Sequence, residues 1–189
     1  QNLLTTHGIA PEAVTTVHAF ITPPPALPDD PTARVRQRQA LGLPPDHLLV
    51  LGCGSRDWRK GVDTFVEVAR RVLAAPDGPA VTFAWIGGGY DPAIPDPLEL
   101  VRRYGLTGRV RFLGELDRPQ PYYQAADVFL LPSREDPFPL VCLEAAGCRV
   151  PTVCFDEVGD MPAFVGRGGG FVVPREDVDA MTERVGRLL

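Results

Sequence analysis

Short, largely apolar runs alternate along most of the chain with segments in which apolar residues recur at helical spacing. The apolar runs predict strands at residues 48–53, 80–86, 110–113, 128–131, 152–155 and 171–173. The helical spacing predicts helices at residues 62–74, 98–104, 121–126, 139–147, 161–165 and 177–189. Apolar strands that alternate with helices indicate a parallel sheet covered on both faces. The predicted fold class is therefore α/β, a Rossmann-like, doubly wound parallel sheet.

The first 47 residues do not show this alternation. Residues 22–31 contain five prolines and two aspartates, which predicts an extended loop. Residues 13–21 could form a short strand, and residues 32–41 a helix with few core positions. We interpret residues 1–47 as the link from a preceding domain, and the start at Gln1 without Met agrees with a piece of a longer protein.

Composition argues against several classes of function. A net charge of -5 argues against nucleic acid as the main partner. No window approaches eighteen apolar residues and no secretory signal is visible, so we expect a cytoplasmic protein without a transmembrane segment. The four cysteines, at positions 53, 142, 148 and 154, lack zinc-site spacing and predict reduced, buried thiols. Since no cluster of metal ligands is visible, we expect neither a metal nor a cofactor.

The loops that follow the predicted strands carry the candidate chemistry, because sheets of this type bind ligands at the carboxyl ends of their strands. Lys60 lies in the first of these loops and is the chain's single lysine, beside eighteen arginines. A compact ammonium group suits phosphate, and Arg56 and Arg59 bring two more cations to a predicted helix start. The loop is neither a Walker A motif nor GxGxxG. It predicts a phosphate site or, alternatively, a solvated turn in which Trp58 is a packing anchor.

A second group of polar residues follows the strand at 128–131. Asp136 stands just before a predicted helix, and Glu144 lies inside that helix in an otherwise apolar stretch. A carboxylate in such surroundings needs a partner, and ribose hydroxyls would serve. The alternatives are a buried salt bridge or, for Asp136, the positive end of the helix dipole. A third loop, residues 87–89, consists of three glycines that would permit close backbone approach to a ligand.

Taken together, these segments resemble the C-terminal, donor-binding domain of GT-B glycosyltransferases, specifically the retaining family 4 (group 1) type. The resemblance covers residues 48–189 and rests on the segments 59–61, 87–89, 109–114, 126–133 and 135–145. It implies a domain that binds a nucleotide-sugar donor, with the N-terminal acceptor domain absent from this chain. It also implies transfer of the sugar, without a metal, to a glycan, lipid or small-molecule acceptor held mainly by that absent domain. The absent domain could also associate with a membrane.

The resemblance also implies roles for individual residues. Lys60 falls on the lysine that contacts the donor diphosphate, and Asp136 and Glu144 have the spacing of the family's paired acids, one for the sugar and one for the ribose. Glu135 is one position too early, but it could share the role of Asp136. Ser55 stands where the family often has an arginine, so Arg56, Arg59 or the acceptor domain is expected to substitute for it.

The resulting candidate set has two catalytic residues, Lys60 and Asp136. The expected donor-binding residues are Gly54, Arg56, Arg59, Lys60, Leu116, Glu135, Asp136, Phe138, Leu140, Val141 and Glu144. Pro139 removes one backbone N–H that could meet the phosphate, and those of the two following residues remain. Two other functions stay open at this point: a GT-B-fold nucleotide-sugar epimerase, and a non-catalytic nucleotide-sugar-binding module. In each case we expect this chain alone to bind nucleotide weakly and to transfer little or no sugar.

Overall fold

The computed structural model describes residues 6–15, 17, 19–25, 27–28, 30, 32–89 and 91–189. Within these residues, strands β1 to β6 are Leu48–Cys53, Val81–Ile86, Val110–Gly114, Val128–Leu131, Thr152–Phe155 and Gly170–Val173. Helices α1 to α7 are Ala33–Ala40, Val62–Leu73, Pro97–Arg103, Gln120–Ala125, Leu140–Gly147, Met161–Phe164 and Val178–Leu188. A 3-10 turn at Pro11–Ala13 precedes α1, and a π-helical turn at Val165–Gly169 follows α6.

The six strands form one parallel sheet in the order β3-β2-β1-β4-β5-β6. The chain builds outwards from β1 in one direction, then returns to the centre and continues in the other direction from β4. The order therefore reverses between β1 and β4, which is where doubly wound sheets bind ligands. The predicted Rossmann-like fold class is confirmed.

Helices cover both faces of the sheet, because the strand side chains point alternately to two apolar layers. Helices α2, α3 and α7 pack on one face, around Phe65, whose ring meets Phe83 and Trp85 edge-on with centroids 5.6 and 5.1 Å apart. Helices α4, α5 and α6 pack on the other face, around Tyr123 and Phe129. The central strands are buried on both sides, as their uninterrupted apolar sequences predicted.

The predicted elements from residue 32 onward agree with the structure to within about two residues at each end. The predicted strand at 13–21 is wrong: of the residues described there, all but 16 and 18, none lies in a strand. Both edges of the sheet are formed by other strands, and Val17 and Phe20 remain 81% and 87% exposed. Their apolar character therefore does not reflect burial in the described part of the chain.

The segment that precedes the sheet is fastened to the second face. Arg38 of α1 is buried and pairs with Asp127 at 2.6 Å, and the same carboxylate accepts the backbone N–H of Leu49 at 2.7 Å. Further upstream, the carbonyl of Pro25 accepts a hydrogen bond from the Gln124 side chain at 2.6 Å. Residues 22–25 consequently lie beside α4 and α5.

Gly61 joins the start of α2 to the loop that follows β4. Its φ is +69°, and a Cβ atom there would lie only 2.0 Å from the carbonyl oxygen of Pro132. Both the left-handed conformation and the close approach require glycine. This contact sets the position of the residue before it, Lys60, relative to the loop after β4.

We predict that Gly61→Ala lowers the free energy of unfolding by about 2–4 kcal/mol, because the methyl group adds a backbone clash to an unfavourable φ. Gly186→Ala is the matched control: it lies in α7 with no atom within 4 Å of the added methyl group. The control should raise stability by about 0.5–1 kcal/mol through helix propensity. Urea unfolding monitored by circular dichroism measures both, and equal effects of the two substitutions would contradict the role given to Gly61.

Candidate functional site

The candidate site lies at the carboxyl edge of the sheet, where its order reverses. The loop at 54–61 follows β1 and the loop at 132–139 follows β4. These strands are hydrogen-bonded neighbours, with Val50 opposite Val128 in the register. The two loops that carried the strongest sequence signals are therefore brought together, although they are far apart along the chain.

Lys60 and Asp136 form an ion pair at the centre of this edge. The Lys60 Nζ lies 2.5 Å from the Asp136 Oδ2, and the two side chains are only 16% and 7% exposed. The buried hydroxyl of Ser133 donates to the same carboxylate oxygen at 3.3 Å. The sequence predicted both charged residues but not their pairing, and it did not single out Ser133.

Backbone contacts hold the Lys60 side of the pair. The side chain of Asp57 accepts the Lys60 N–H at 2.8 Å, and that of Asp91 accepts the Trp58 N–H at 2.8 Å. The Trp58 amide, with that of Ala93, lowers the pKa of Asp91, so this carboxylate remains a strong acceptor. Gly54 lies against the lysine stem: an added Cβ would be 3.1 Å from its Cγ and Cδ atoms.

The loop after β5 holds the Asp136 side. The Asp136 N–H donates to the carbonyl of Val158 at 2.8 Å. Gly159, with a φ of +140°, approaches so closely that a Cβ would lie 2.1 Å from the Asp136 carbonyl oxygen. Asp136 is therefore turned inward, whereas its neighbour Glu135 is exposed and contacts Arg59 through its backbone. The Glu135 carbonyl accepts from the Arg59 side chain at 3.3 Å, and the Glu135 N–H donates to the Arg59 carbonyl at 3.4 Å.

The two arginines proposed to assist Lys60 occupy different places. Arg59 reaches the Glu135 carbonyl at the mouth of the site. The Arg56 guanidinium lies over the ring of Phe112 at 5.8 Å, and its backbone N–H donates to the Gly88 carbonyl at 2.7 Å. Its Nε is buried and has no hydrogen-bond partner among the described residues. Neither arginine hydrogen bonds to the carboxylate of the ion pair among the described residues.

Arg134 has a structural role. It forms a bidentate pair with Asp63, with N···O distances of 2.9 and 2.8 Å, and its guanidinium lies 5.4 Å above the Trp58 ring. Trp58 is therefore a partly exposed packing partner, as the alternative interpretation of its loop expected. That role and a phosphate site can coexist, because Lys60 points away from this contact towards Asp136.

Glu144 opens onto a separate groove beside the ion pair. The groove has a volume of about 460 Å³. Its other lining residues are Thr22, Pro23, Pro24, Pro25, Arg118, Gln120, Pro121 and Gln124. Within the described residues Glu144 takes part in no ion pair and its carboxylate has no partner in hydrogen-bond geometry, so the predicted alternative of a buried salt bridge is wrong there.

The remaining predicted residues surround these two groups. Leu140 and Val141 form the first turn of α5, where backbone N–H groups have no partner inside the helix. Leu116 is half-buried and packs against the apolar layer of the second face. Phe138 is half-buried and lines a second groove of about 410 Å³. In the triple-glycine loop, the Gly87 N–H donates to the Gly114 carbonyl at 2.7 Å, which ties the ends of β2 and β3 together.

One further residue at this edge, Tyr123, was missed by the sequence analysis as a site residue. Tyr123 of α4 is fully buried, and its hydroxyl lies close enough to Cys53 and Glu144 to interact with both electrostatically. A tyrosine inside a buried helix was the available signal, but the sequence does not show what its hydroxyl meets.

All four cysteines are free, as predicted, although only Cys142 and Cys154 are fully buried. Burial raises the pKa of Cys154 to about 12, which keeps its thiol protonated.

Two features are absent from the described residues. No group of three or more His, Cys, Asp or Glu side chains there is arranged to hold a metal ion. No helix in this part of the chain is long and apolar enough to cross a membrane.

Known proteins share this fold and sequence pattern. The chain is 33% identical over 153 residues to the alpha-galactosylglucosyldiacylglycerol synthase of Streptococcus pneumoniae, covering 79% of this chain and 39% of that protein. Its structure matches the lipopolysaccharide outer core galactosyltransferase WaaB with a TM-score of 0.74 and 17% identity, over 99% of this chain and 49% of the other. It also matches Anabaena Alr3699/HepE, solved in complex with UDP and glucose, with a TM-score of 0.69 and 22% identity, over 84% and 42% of the two chains.

These matches cover most of this chain, which spans less than half the length of each of the three proteins. The family model described as "Glycosyl transferases group 1" matches residues 46–189, which include all six strands and every residue of the candidate site set. The chain therefore belongs to the group 1 glycosyl transferase family.

Proposed function

We propose that this chain is the C-terminal, donor-binding part of a retaining, family 4 glycosyltransferase of the GT-B type. The observation that carries the proposal is the convergence of Lys60 and Asp136 at the switch point of the sheet, 2.5 Å apart, with Glu144 in the adjoining groove. Residues 48–189 form the donor-binding domain, and residues 1–47 are the link and the start of this half. The acceptor is held mainly by a domain outside this chain.

The donor diphosphate binds over the ion pair. Lys60 supplies a compact positive charge, and the free N–H groups of Leu140 and Val141 face an anion at the start of α5. These groups stabilise the negative charge that grows on the leaving diphosphate as the bond to the sugar breaks. This arrangement needs no metal. Arg59, at the mouth of the site, adds positive charge, and Arg56 can do so by leaving the Phe112 ring.

The nucleoside occupies the groove that Glu144 lines. The Glu144 carboxylate accepts both ribose hydroxyls, which gives it the partners it lacks among the described residues. The base extends towards Arg118 and the backbone near Leu116. The complex of Alr3699/HepE with UDP and glucose supports a donor of this chemical class.

When the diphosphate binds Lys60, Asp136 loses its ion-pair partner and binds the sugar instead. In the structure, each of the two buried charges satisfies the other. A diphosphate can replace the carboxylate at Lys60, and sugar hydroxyls can then donate to Asp136. The chain resembles proteins named as a synthase and a galactosyltransferase, which favours transfer over epimerisation or simple binding.

We expect Lys60→Ala to abolish binding of nucleoside diphosphates, because the main positive charge at the site is lost. Lys60→Arg should only partly restore binding, since a planar guanidinium replaces a compact ammonium group. Isothermal titration calorimetry with UDP, GDP and ADP and their glucose conjugates measures this. Arg102→Ala, which removes an exposed cation paired with Glu99, is the control and should bind like the wild type. No binding to the wild-type chain up to millimolar concentration would contradict the proposed function.

Asp136→Asn should change the affinities for two ligands by different amounts. It removes the internal competitor for Lys60, so the affinity for the nucleoside diphosphate should rise about three- to tenfold, equivalent to about 1 kcal/mol. The affinity for the corresponding nucleotide sugar should rise less or fall, because the carboxylate that accepts the sugar hydroxyls is gone. Glu157→Gln, an exposed charge removal in the loop beneath Asp136, is the control. Equal changes for both ligands would contradict the exchange of partners at Asp136.

A further inference from the structure

Tyr123 presents an unsatisfied polar atom in the interior of the protein. The residue is 0% exposed, and among the described residues its hydroxyl has no partner in hydrogen-bond geometry. Leaving a buried hydroxyl unpaired is unfavourable, so phenylalanine would be the more stable residue for packing alone. The ring itself packs well, with its centroid 5.8 Å from that of Phe129. The hydroxyl therefore needs an explanation other than the core.

The position of the Tyr123 hydroxyl suggests an explanation. Tyr123 lies on α4, between the end of β1, which carries Cys53, and α5, which carries Glu144. Burial above all, and then the neighbouring Cys53 and Glu144, raise the pKa of Tyr123, so the hydroxyl stays protonated and can donate a hydrogen bond. Burial likewise raises the pKa of the Cys53 thiol. The neutral phenol has one proton to donate. Of its two neighbours, the Glu144 carboxylate is a stronger hydrogen-bond acceptor than the protonated Cys53 thiol.

The side of Glu144 that faces the groove has different neighbours. The Gln124 amide is already bound to the Pro25 carbonyl, and Arg118 is exposed to solvent. Tyr123 is 0% exposed and is not among the described residues that line the groove, so it lies on the interior side of Glu144. A donor placed there can bind one carboxylate oxygen without competing with a ligand that enters from the groove.

We propose that Tyr123 is a positioning residue that donates its hydroxyl proton to the Glu144 carboxylate and orients it for the two ribose hydroxyls. The inference rests on the proposed function, since it concerns the same nucleoside subsite. The hydroxyl and the carboxylate are near each other but out of hydrogen-bond geometry in the structure, and closing that gap accompanies the seating of the ribose. A buried donor behind a ligand-binding carboxylate fixes its rotamer in the way that outer groups orient metal ligands.

Tyr123→Phe tests the inference, because it removes the hydroxyl and keeps the ring. Calorimetry should compare the ribonucleoside diphosphate that binds best among UDP, GDP and ADP with its 2′,3′-dideoxy analogue. We expect Tyr123→Phe to weaken binding of the ribonucleotide about five- to tenfold and to leave binding of the dideoxy analogue unchanged. Thermal stability should stay the same or rise, since an unpaired buried hydroxyl has been removed. Tyr122→Phe, which removes the neighbouring hydroxyl on the same helix, should change neither affinity.

A double-mutant cycle separates positioning from packing. In a Glu144→Gln background, Tyr123→Phe should have little further effect on ribonucleotide binding, because the two residues act as a unit. Equal weakening of both ligands by Tyr123→Phe, or no weakening of either, overturns the positioning role while the proposed function stands. Failure of the wild-type chain to bind any of the three nucleoside diphosphates overturns the proposed function itself.

Discussion

The meeting of the loops after β1 and β4 is the constraint on which the site depends. Since these strands are neighbours at the centre of the sheet, Lys60 and Asp136 reach the same point from distant parts of the sequence. A close backbone approach at Gly61 joins these two loops, and another at Gly159 joins the second of them to the loop after β5. The ion pair is thus a product of the sheet order and of two glycines, and it holds both charges in place before any ligand arrives.

Such a pair is poorly suited to stabilising the fold. Removing two charges from water costs about as much as their attraction returns, so a buried ion pair contributes little to net stability. Under the proposed function, its value lies in the exchange of partners. A diphosphate alone would take Lys60 and leave the carboxylate of Asp136, at 7% exposure, with no positively charged partner and only the Ser133 hydroxyl among its described contacts. A diphosphate linked to a sugar could satisfy both groups, so the same geometry would favour the complete donor over the product.

The sequence predicted the layers of the fold well because its strands are apolar throughout and its helices keep a clear period. It failed at residues 13–21, where apolar residues have no partner among the described residues, a difference that local pattern does not reveal. At the site it identified Lys60, Asp136 and Glu144 from type and spacing. It could not show that Lys60 and Asp136 form an ion pair. Nor could it show that Ser133 donates to the Asp136 carboxylate, or that the Tyr123 hydroxyl lies near Glu144. These relations depend on the directions of side chains that come from different strands and helices.

The single lysine can now be explained by the space around it. Its stem is bounded by Gly54, where even an added methyl group would lie 3.1 Å from the Cγ and Cδ atoms. A planar guanidinium is wider than an ammonium group and needs several acceptors in one plane. The neighbouring arginines have acceptors for their guanidinium groups. Arg134 binds the carboxylate of Asp63 through two N–H groups, and Arg59 donates to the carbonyl of Glu135 at the rim of the site. Under the proposed function, lysine at position 60 makes a narrow contact that passes from a carboxylate to a phosphate. A compact and rotatable point charge can make that change without a rearrangement of its surroundings.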